Sequence, residues 1–413
     1  MKFLADFHIH SKYSYATSKT MDLQALATWG QLKGLTVMGT GDFTHPVWQK
    51  ELFEQLVPAE QGLFHLNPKL QAAVDAGVYT SCRGIQRFLL TAEISTIFRR
   101  HGKCYKMHSI IFAPSFEVVE KITKKLASIG NISYDGRPTL GLDVKDLLKI
   151  VLDISPDCML IPAHIWTPHF GLLGSKSGFD SFEECFEELT EHIYAFEKGL
   201  SSSFFMNAQV SQLDRFAILS NSDAHSVQNL GREANLFDTE LSYNAITQAL
   251  KSKDKKGLVA GIEFFPEMGK YYDSGHRACG VYKTIQQVKE NPLCPVCHKL
   301  VTIGVAYRVD QLADRTPELA ATLMKKRYAI APLQELIAHY CKVADSSKKV
   351  QQMYQHLLGS LGNEFYILLQ APVDEIAKYS NLEIAQSIDA VRKGQVMVTP
   401  GYDGIYGKID FKS

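Results

Sequence analysis

At 413 residues, with 46% hydrophobic and 21% charged residues, the chain has the composition of folded domains and the length for two or three of them. Its 44 basic and 44 acidic residues cancel, so a bulk-basic surface is excluded and any nucleic-acid binding must rest on local groups of Lys and Arg. No segment is charged enough for extended disorder, none approaches the ~20 apolar residues of a membrane span, and residues 1–6 lack the apolar stretch of a secretion signal; the expected location is the cytoplasm.

Along the first 240 residues, short apolar runs alternate with helical stretches. Strands are expected at 3–8, 35–40, 87–94, 106–113, 158–163, 203–207 and 217–221, and helices at 22–34, 117–129, 144–155 and 182–188. Such repetition predicts an α/β barrel or a doubly wound sheet. His8, Asp42, Glu93, His108, His164 and Asp223 each fall at or just past the end of an expected strand. Strand ends converge on one mouth in a barrel, whereas an open sheet gathers its site at one crossover, so the barrel is the preferred reading.

Beyond residue 250 the pattern changes. Between 251 and 300 stand nine Lys and Arg, Lys255 among them, against five acids. From about 305 the chain reads as helical, at 308–314, 333–341, 347–358 and 382–393, with a strand at 395–398 and a turn-rich tail. The expected division is a phosphoesterase barrel over 1–250, a zinc-binding segment over 251–304 and a helical domain with a short terminal strand over 305–413.

His8-Ile9-His10 places two imidazoles on one side of a strand. Two histidines are a weak motif alone. With Asp42, His45, Glu93, His108, His164, Asp223 and His225 they make nine imidazole or carboxylate groups, hard to bury unless paired or metal-bound. Imidazole with carboxylate suits Zn, Mn or Fe, and a bridging carboxylate such as Glu93 lets ions lie close enough to activate water and clamp a phosphate. Read blandly, Asp42 and Asp223 are helix caps. His65, His101, His192, His339 and His356 read as structural or surface residues, while Trp166 and His169 follow His164 in a loop that could line the mouth. No nucleophilic triad and no glycine-rich phosphate loop is visible.

His276 and Cys279, then Cys294 and Cys297, form two pairs with matching gaps, the spacing of one tetrahedral zinc site; His298 competes for the fourth position. The eight cysteines are unevenly spread, which fits a reduced protein with one metal knot rather than disulfides. Arg277, Lys283, Lys289 and Lys299 flank the knot.

The barrel motifs resemble the polymerase-and-histidinol-phosphatase (PHP) superfamily. That resemblance implies a distorted seven-stranded β/α barrel with two or three metals and phosphoester hydrolysis. It implies His8, His10, Asp42, His45, Glu93, His108, His164, Asp223 and His225 as ligands, with Glu93 bridging. Two departures stand out: Lys12, Tyr13, Ser14 and Tyr15 stand where that motif carries a further histidine after the first strand, and Phe43-Thr44 lie between the Asp and His of the second motif. The cysteine segment and the tail 400–407 are similar to those of the endonuclease Q family, and together with the barrel motifs the similarity runs over nearly the whole chain. This implies a nick 5′ of deaminated bases (uracil, hypoxanthine, xanthine) and at abasic sites, activity with Mg²⁺ or Mn²⁺, a structural Zn²⁺, Glu93, Asp223 and His225 in the catalytic group, and DNA, with replication or repair proteins, as partners. Lys12, Arg83, Arg99, Arg100, Lys103 and Lys106 are then candidates for phosphate contacts, and Tyr13, Tyr15 and Trp166 for stacking. The alternatives are a phosphatase for a small phosphate ester or nucleotide, against which the extra domains speak, and a non-catalytic nucleic-acid-binding or scaffold protein.

Overall fold

The computed structural model describes residues 1–254 and 256–410; Lys255 of the basic segment lies outside the described residues. Seven strands follow the barrel path: β1 (Lys2–Asp6), β2 (Val37–Gly39), β3 (Arg87–Arg100), β4 (Lys103–Ala113), β5 (Met159–Pro162), β6 (Ala195–Glu197) and β7 (Ala217–Leu219). Pairing runs β1–β2–β3 in parallel, then β3–β4 and β4–β5 antiparallel. The β6–β7 pair is a separate parallel ribbon. Ile165 N–H donates to Glu197 O after β5, and an Ile9–Ala224 bridge follows β1, so the ribbon closes the ring with a break on each side. This is the distorted barrel expected from the sequence.

Period-2 alternation explains the inside. Phe3, Ala5 and Phe7 are buried on one side, against Phe112 and Leu219 of the opposing strands, with the Phe7 and Phe112 rings 5.0 Å apart. The helices α1 (Leu23–Lys33), α2 (Pro46–Gln55), α3 (Phe116–Ala127) and α4 (Val144–Ile154) wrap the outside. Each begins at a side-chain cap, respectively Asp22, His45, Ser115 and Asp143. Helix α1 stops at Gly34, whose φ of +92° is the left-handed conformation glycine adopts without strain.

One expected strand is a helix. Residues 203–207 coincide with a short helix, Phe204–Ala208, started by Ser203, whose Oγ accepts from Met206 N. The strand lies earlier, at β6, where all three residues are buried and show no alternation to read. Nor does the sheet end at residue 250. Strand β8 (Ala234–Asp238) pairs with β1, β9 (Leu258–Phe264) pairs with β8, and β10 (Arg327–Ile330) adds in parallel to β9.

The C-terminal region is mainly helical: α5 (Val305–Leu312), then α6 (Leu333–Cys341), α7 (Lys348–Leu361), α8 (Glu364–Leu369), α9 (Val373–Tyr379) and α10 (Leu382–Arg392). It is fastened to α1 by a buried ion pair, Lys33 Nζ to Glu364 Oε2 at 2.8 Å. The strand expected at 395–398 is observed at Met397–Thr399 and pairs with Lys408–Asp410. No described helix is long and apolar enough to cross a membrane.

Candidate metal centre

At the barrel mouth, chain reversals after the strands present polar side chains on unusual backbone. Asp42, His164 and Asp223 all have positive φ, +51°, +29° and +48°. Residues with a Cβ occupy this region at a cost, and such strain concentrates at functional sites.

Two groups of donor atoms meet there: His8, His10, Glu93 and Asp223 in one, and Glu93, His108 and His164 in the other. Glu93 belongs to both. Its Oε2 lies 3.3 Å from His8 Nε2 and 3.1 Å from His10 Nε2, while its Oε1 lies 2.8 Å from His108 Nδ1 and 3.2 Å from His164 Nε2. Asp223 Oδ1 completes the first group, 3.2 Å from His10 Nε2. His8 Nε2, His10 Nε2 and Asp223 Oδ1 are buried without a hydrogen-bond partner. Orphaned buried polar atoms facing one another are costly unless they share a cation, so the residues fit metal ions.

The far side of each ring is held. His8 Nδ1 meets Glu197 Oε2 at 2.9 Å, and His10 Nδ1 meets Asp42 Oδ1 at 3.1 Å. A carboxylate opposite Nδ1 draws the ring proton there and leaves the Nε2 lone pair for a metal. Burial alone would disfavour charge on His8 and His10, but the surrounding carboxylates override it and hold both pKa values well above the usual imidazole range, so positive charge is favoured at Nε2, as a proton or as a metal ion that displaces it. For His108 burial prevails, pushing its pKa down to about 4 despite Glu93, so this ring is neutral at pH 7. Burial works against ionised Glu93, yet His108, Arg137 and His8 keep its pKa well below the carboxylate range.

Of the nine expected ligands, six lie in the two groups. Asp42 does not: its Oδ2 accepts from Ser11 N, Ser11 Oγ and Ser14 Oγ, so the carboxylate serves to orient His10. His45 caps α2, its Nδ1 facing Trp48 N at 3.4 Å and its Nε2 facing Ser133 O at 3.2 Å, and its ring stacks on Tyr13. His225 stands beside the first group, its ring 4.5 Å from that of His10 and its Nδ1 against Asp223 O.

Sequence reasoning missed Glu197, Arg137 and Asn221. Glu197 also accepts from His164 N and Asn221 Nδ2, tying three site residues to one carboxylate. Its only signal was its place at the end of β6. Arg137 Nη1 donates to Glu93 Oε2 at 3.1 Å, from a loop that carries no strand or helix signal. Gly199 permits this packing, because a Cβ there would come within 2.7 Å of His164 Cβ.

A cavity of about 490 Å³ opens over the two groups, its wall formed in part by Arg137, His169, Asp223, His225, Lys270 and Tyr271. The last two come from beyond residue 250, so the later segments complete the mouth. Several expected contacts are engaged elsewhere. Arg100 forks onto Asp143, Lys12 pairs with Glu51, and Lys103 donates to Gly178 O. Trp166 is 1% exposed with its Nε1 bound to Asn207, which leaves no open ring face for stacking.

Away from the barrel, His276, Cys279, Cys294 and Cys297 form a second kind of donor group, with Cys297 Sγ 3.3 Å from His276 Nδ1. His276 ends a strand (Ser274–His276) and Cys279 the 3-10 turn that follows. His298 is not in the group. All eight cysteines are free of disulfides.

Fold and site together define a PHP-type β/α barrel whose mouth carries side chains fit to hold metal ions. Over its full length the chain is a structural homologue of endonuclease Q. The crystal structure of the lesion-specific endonuclease PfuEndoQ from Pyrococcus furiosus is 29% identical with a TM-score of 0.83, covering 100% of this chain and 96% of that one. A crystal structure of endonuclease Q in complex with a 27-mer duplex substrate, with an abasic lesion at the active site, gives a TM-score of 0.84 at 29% identity, covering 100% and 97%. The family model of the MJ0043 C-terminal domain matches residues 332–395. Among curated proteins, the uncharacterized protein YqxK of Bacillus subtilis is 28% identical over 99% of both chains. The uncharacterized protein MJ0043 of Methanocaldococcus jannaschii is 29% identical over 297 residues, 68% of this chain and 36% of that longer protein.

Proposed function

We propose that the protein is a DNA repair endonuclease that nicks the backbone 5′ of deaminated bases (uracil, hypoxanthine, xanthine) and at abasic sites. The observation that carries this reading is the pair of donor groups sharing Glu93, with His108, His164 and Asp223 in the wall of a cavity of about 490 Å³, in a fold matched end to end by a lesion-specific endonuclease. His8, His10 and Asp223 would hold one ion, His108 and His164 another, with Glu93 common to both; these imidazole-rich groups suit Zn, Mn or Fe, Zn²⁺ suits the cysteine group, and the family resemblance implies Mg²⁺ or Mn²⁺ to support the activity. Ions so placed supply Lewis-acid activation of water and take up charge on the phosphoryl group.

The protein's own residues bind and orient. Glu197 and Asp42 fix the rings of His8 and His10, and His225 lines the wall beside Asp223. Arg137 has Glu93 as its one hydrogen-bond partner for the guanidinium among the described residues, which leaves most of its donors for backbone phosphate. In salt titrations of duplex binding, Arg137→Ala is expected to lower the slope of log affinity against log salt by about one, the signature of one lost phosphate contact. An unchanged slope would remove Arg137 from the interface.

The test of the function is strand cleavage with Mg²⁺ or Mn²⁺ on end-labelled duplexes carrying one uracil, one hypoxanthine, one abasic site or no lesion. A single nick 5′ of the lesion, absent from the undamaged duplex, is the expected result. Release of phosphate from small esters without any nick would return the phosphatase reading.

A further inference from the structure

Two tyrosines stand out on the loops beside the mouth. Tyr134 is 88% exposed and Tyr15 is 78% exposed, the two highest values among large apolar side chains of the described residues. Neither ring stacks on another side chain, and neither phenol has a hydrogen-bond partner, among the described residues. A lone exposed aromatic is ordinary. Here two of them ride on loops that are stitched to each other and to the site.

The stitching is specific. Asp135 Oδ1 accepts from both Tyr15 N and Arg137 N, each at 3.1 Å. Gly136 N donates to Tyr13 O, and Ser133 O meets His45 Nε2 at 3.2 Å. Asp135 and Arg137 both line the cavity, so Tyr134 directly precedes a residue of its wall and Tyr15 is bonded through its backbone to that same residue. The chain reverses directly after Tyr15 with Ala16 at a φ of +59°, a conformation that costs a residue with a Cβ. Bare aromatic rings on backbone held this firmly are presented to something outside the chain rather than left over from packing.

We infer that Tyr15 and Tyr134 form an aromatic wedge that enters the base stack of duplex DNA next to the nucleotide drawn into the cavity. This deepens the endonuclease reading and rests on it. A nucleotide can reach donor groups as buried as these only by leaving the stack, and the gap it leaves exposes the faces of the neighbouring base pairs. An aromatic side chain that slides into the gap restores stacking on those faces without reading sequence. With Trp166 buried and bonded to Asn207 and Tyr13 stacked on His45, Tyr15 and Tyr134 are the most exposed rings on the segments that adjoin the cavity wall.

The test compares two substrates under single-turnover conditions with the full-length, metal-loaded protein: a lesion in a perfect duplex, and the same lesion inside a short unpaired bubble. The double variant Tyr15→Ala/Tyr134→Ala is expected to lose at least about tenfold in nicking of the duplex, the order of one lost base–aromatic stack, and less than about twofold on the bubble. The double variant Tyr15→Phe/Tyr134→Phe, which keeps both rings, is expected to behave as wild type on both. Equal losses on the two substrates, no loss on the duplex, or failure of wild type to cut the bubble would each overturn the wedge while leaving the endonuclease standing. Failure of wild type to cut either substrate would overturn the endonuclease reading itself.

Discussion

Nicking is expected to fall about a thousandfold or more when Glu93 is replaced by glutamine. One carboxylate lies against four imidazoles and one guanidinium, at 2.8 to 3.3 Å, and is the sole member common to both donor groups. The amide keeps the shape but not the charge, so both groups lose their shared anionic ligand. Several kcal/mol of transition-state stabilisation by metals translate, at about 1.4 kcal/mol per tenfold, into a loss of that size. The checks are cleavage of a lesion-bearing duplex and metal content by atomic emission. The cysteine group should keep its ion, since nothing in it touches Glu93. A variant that retained more than a tenth of wild-type rate with barrel metals in place would show that Glu93 is peripheral.

The second large effect lies far from the chemistry. Lys33 and Glu364 have side chains only 4% and 5% exposed, and Glu364 also accepts from Tyr354 Oη and from Leu333 N at 3.1 Å. Glu364→Ala strands a buried ammonium together with a phenol and a peptide N–H, and is expected to cost about 3–5 kcal/mol. Urea unfolding would read this as a lower midpoint. The paired replacement Lys33→Met/Glu364→Leu should recover the share of the loss that comes from the unpaired ammonium, but not the share from the phenol and the peptide N–H, which still lack an acceptor. A single-variant loss below about 1 kcal/mol would mean that the pair is solvated and does not fasten the helical region to α1.

How much of this was legible can be argued from particular residues. The histidines, Glu93 and Asp223 were legible because metal chemistry demands rare side-chain types and strand ends place them at intervals that do not depend on packing detail. Helices with side-chain caps were legible for a similar reason: Asp22, Asp143 and the closing Gly34 act through their own neighbours. Strand β6 was not, since three fully buried residues have no period, and the nearby run 203–207 offered a stronger apolar signal that belongs to a helix capped by Ser203. With β6 misplaced, Glu197 could not be recognised as the carboxylate that holds His8.

By itself, then, the sequence determined the barrel, the cysteine knot, the helical end and the inventory of donors, because these follow from residue type and local period. Tertiary structure alone decided which donors converge. It turned His45 onto Ser133 and Trp48, set Asp42 behind His10, and brought Arg137 and Glu197 to the centre from loops and strand ends far along the chain. Ligation and hydrogen bonding are matters of ångströms and of ring orientation, and no spacing along a chain encodes the angle at which two distant loops meet.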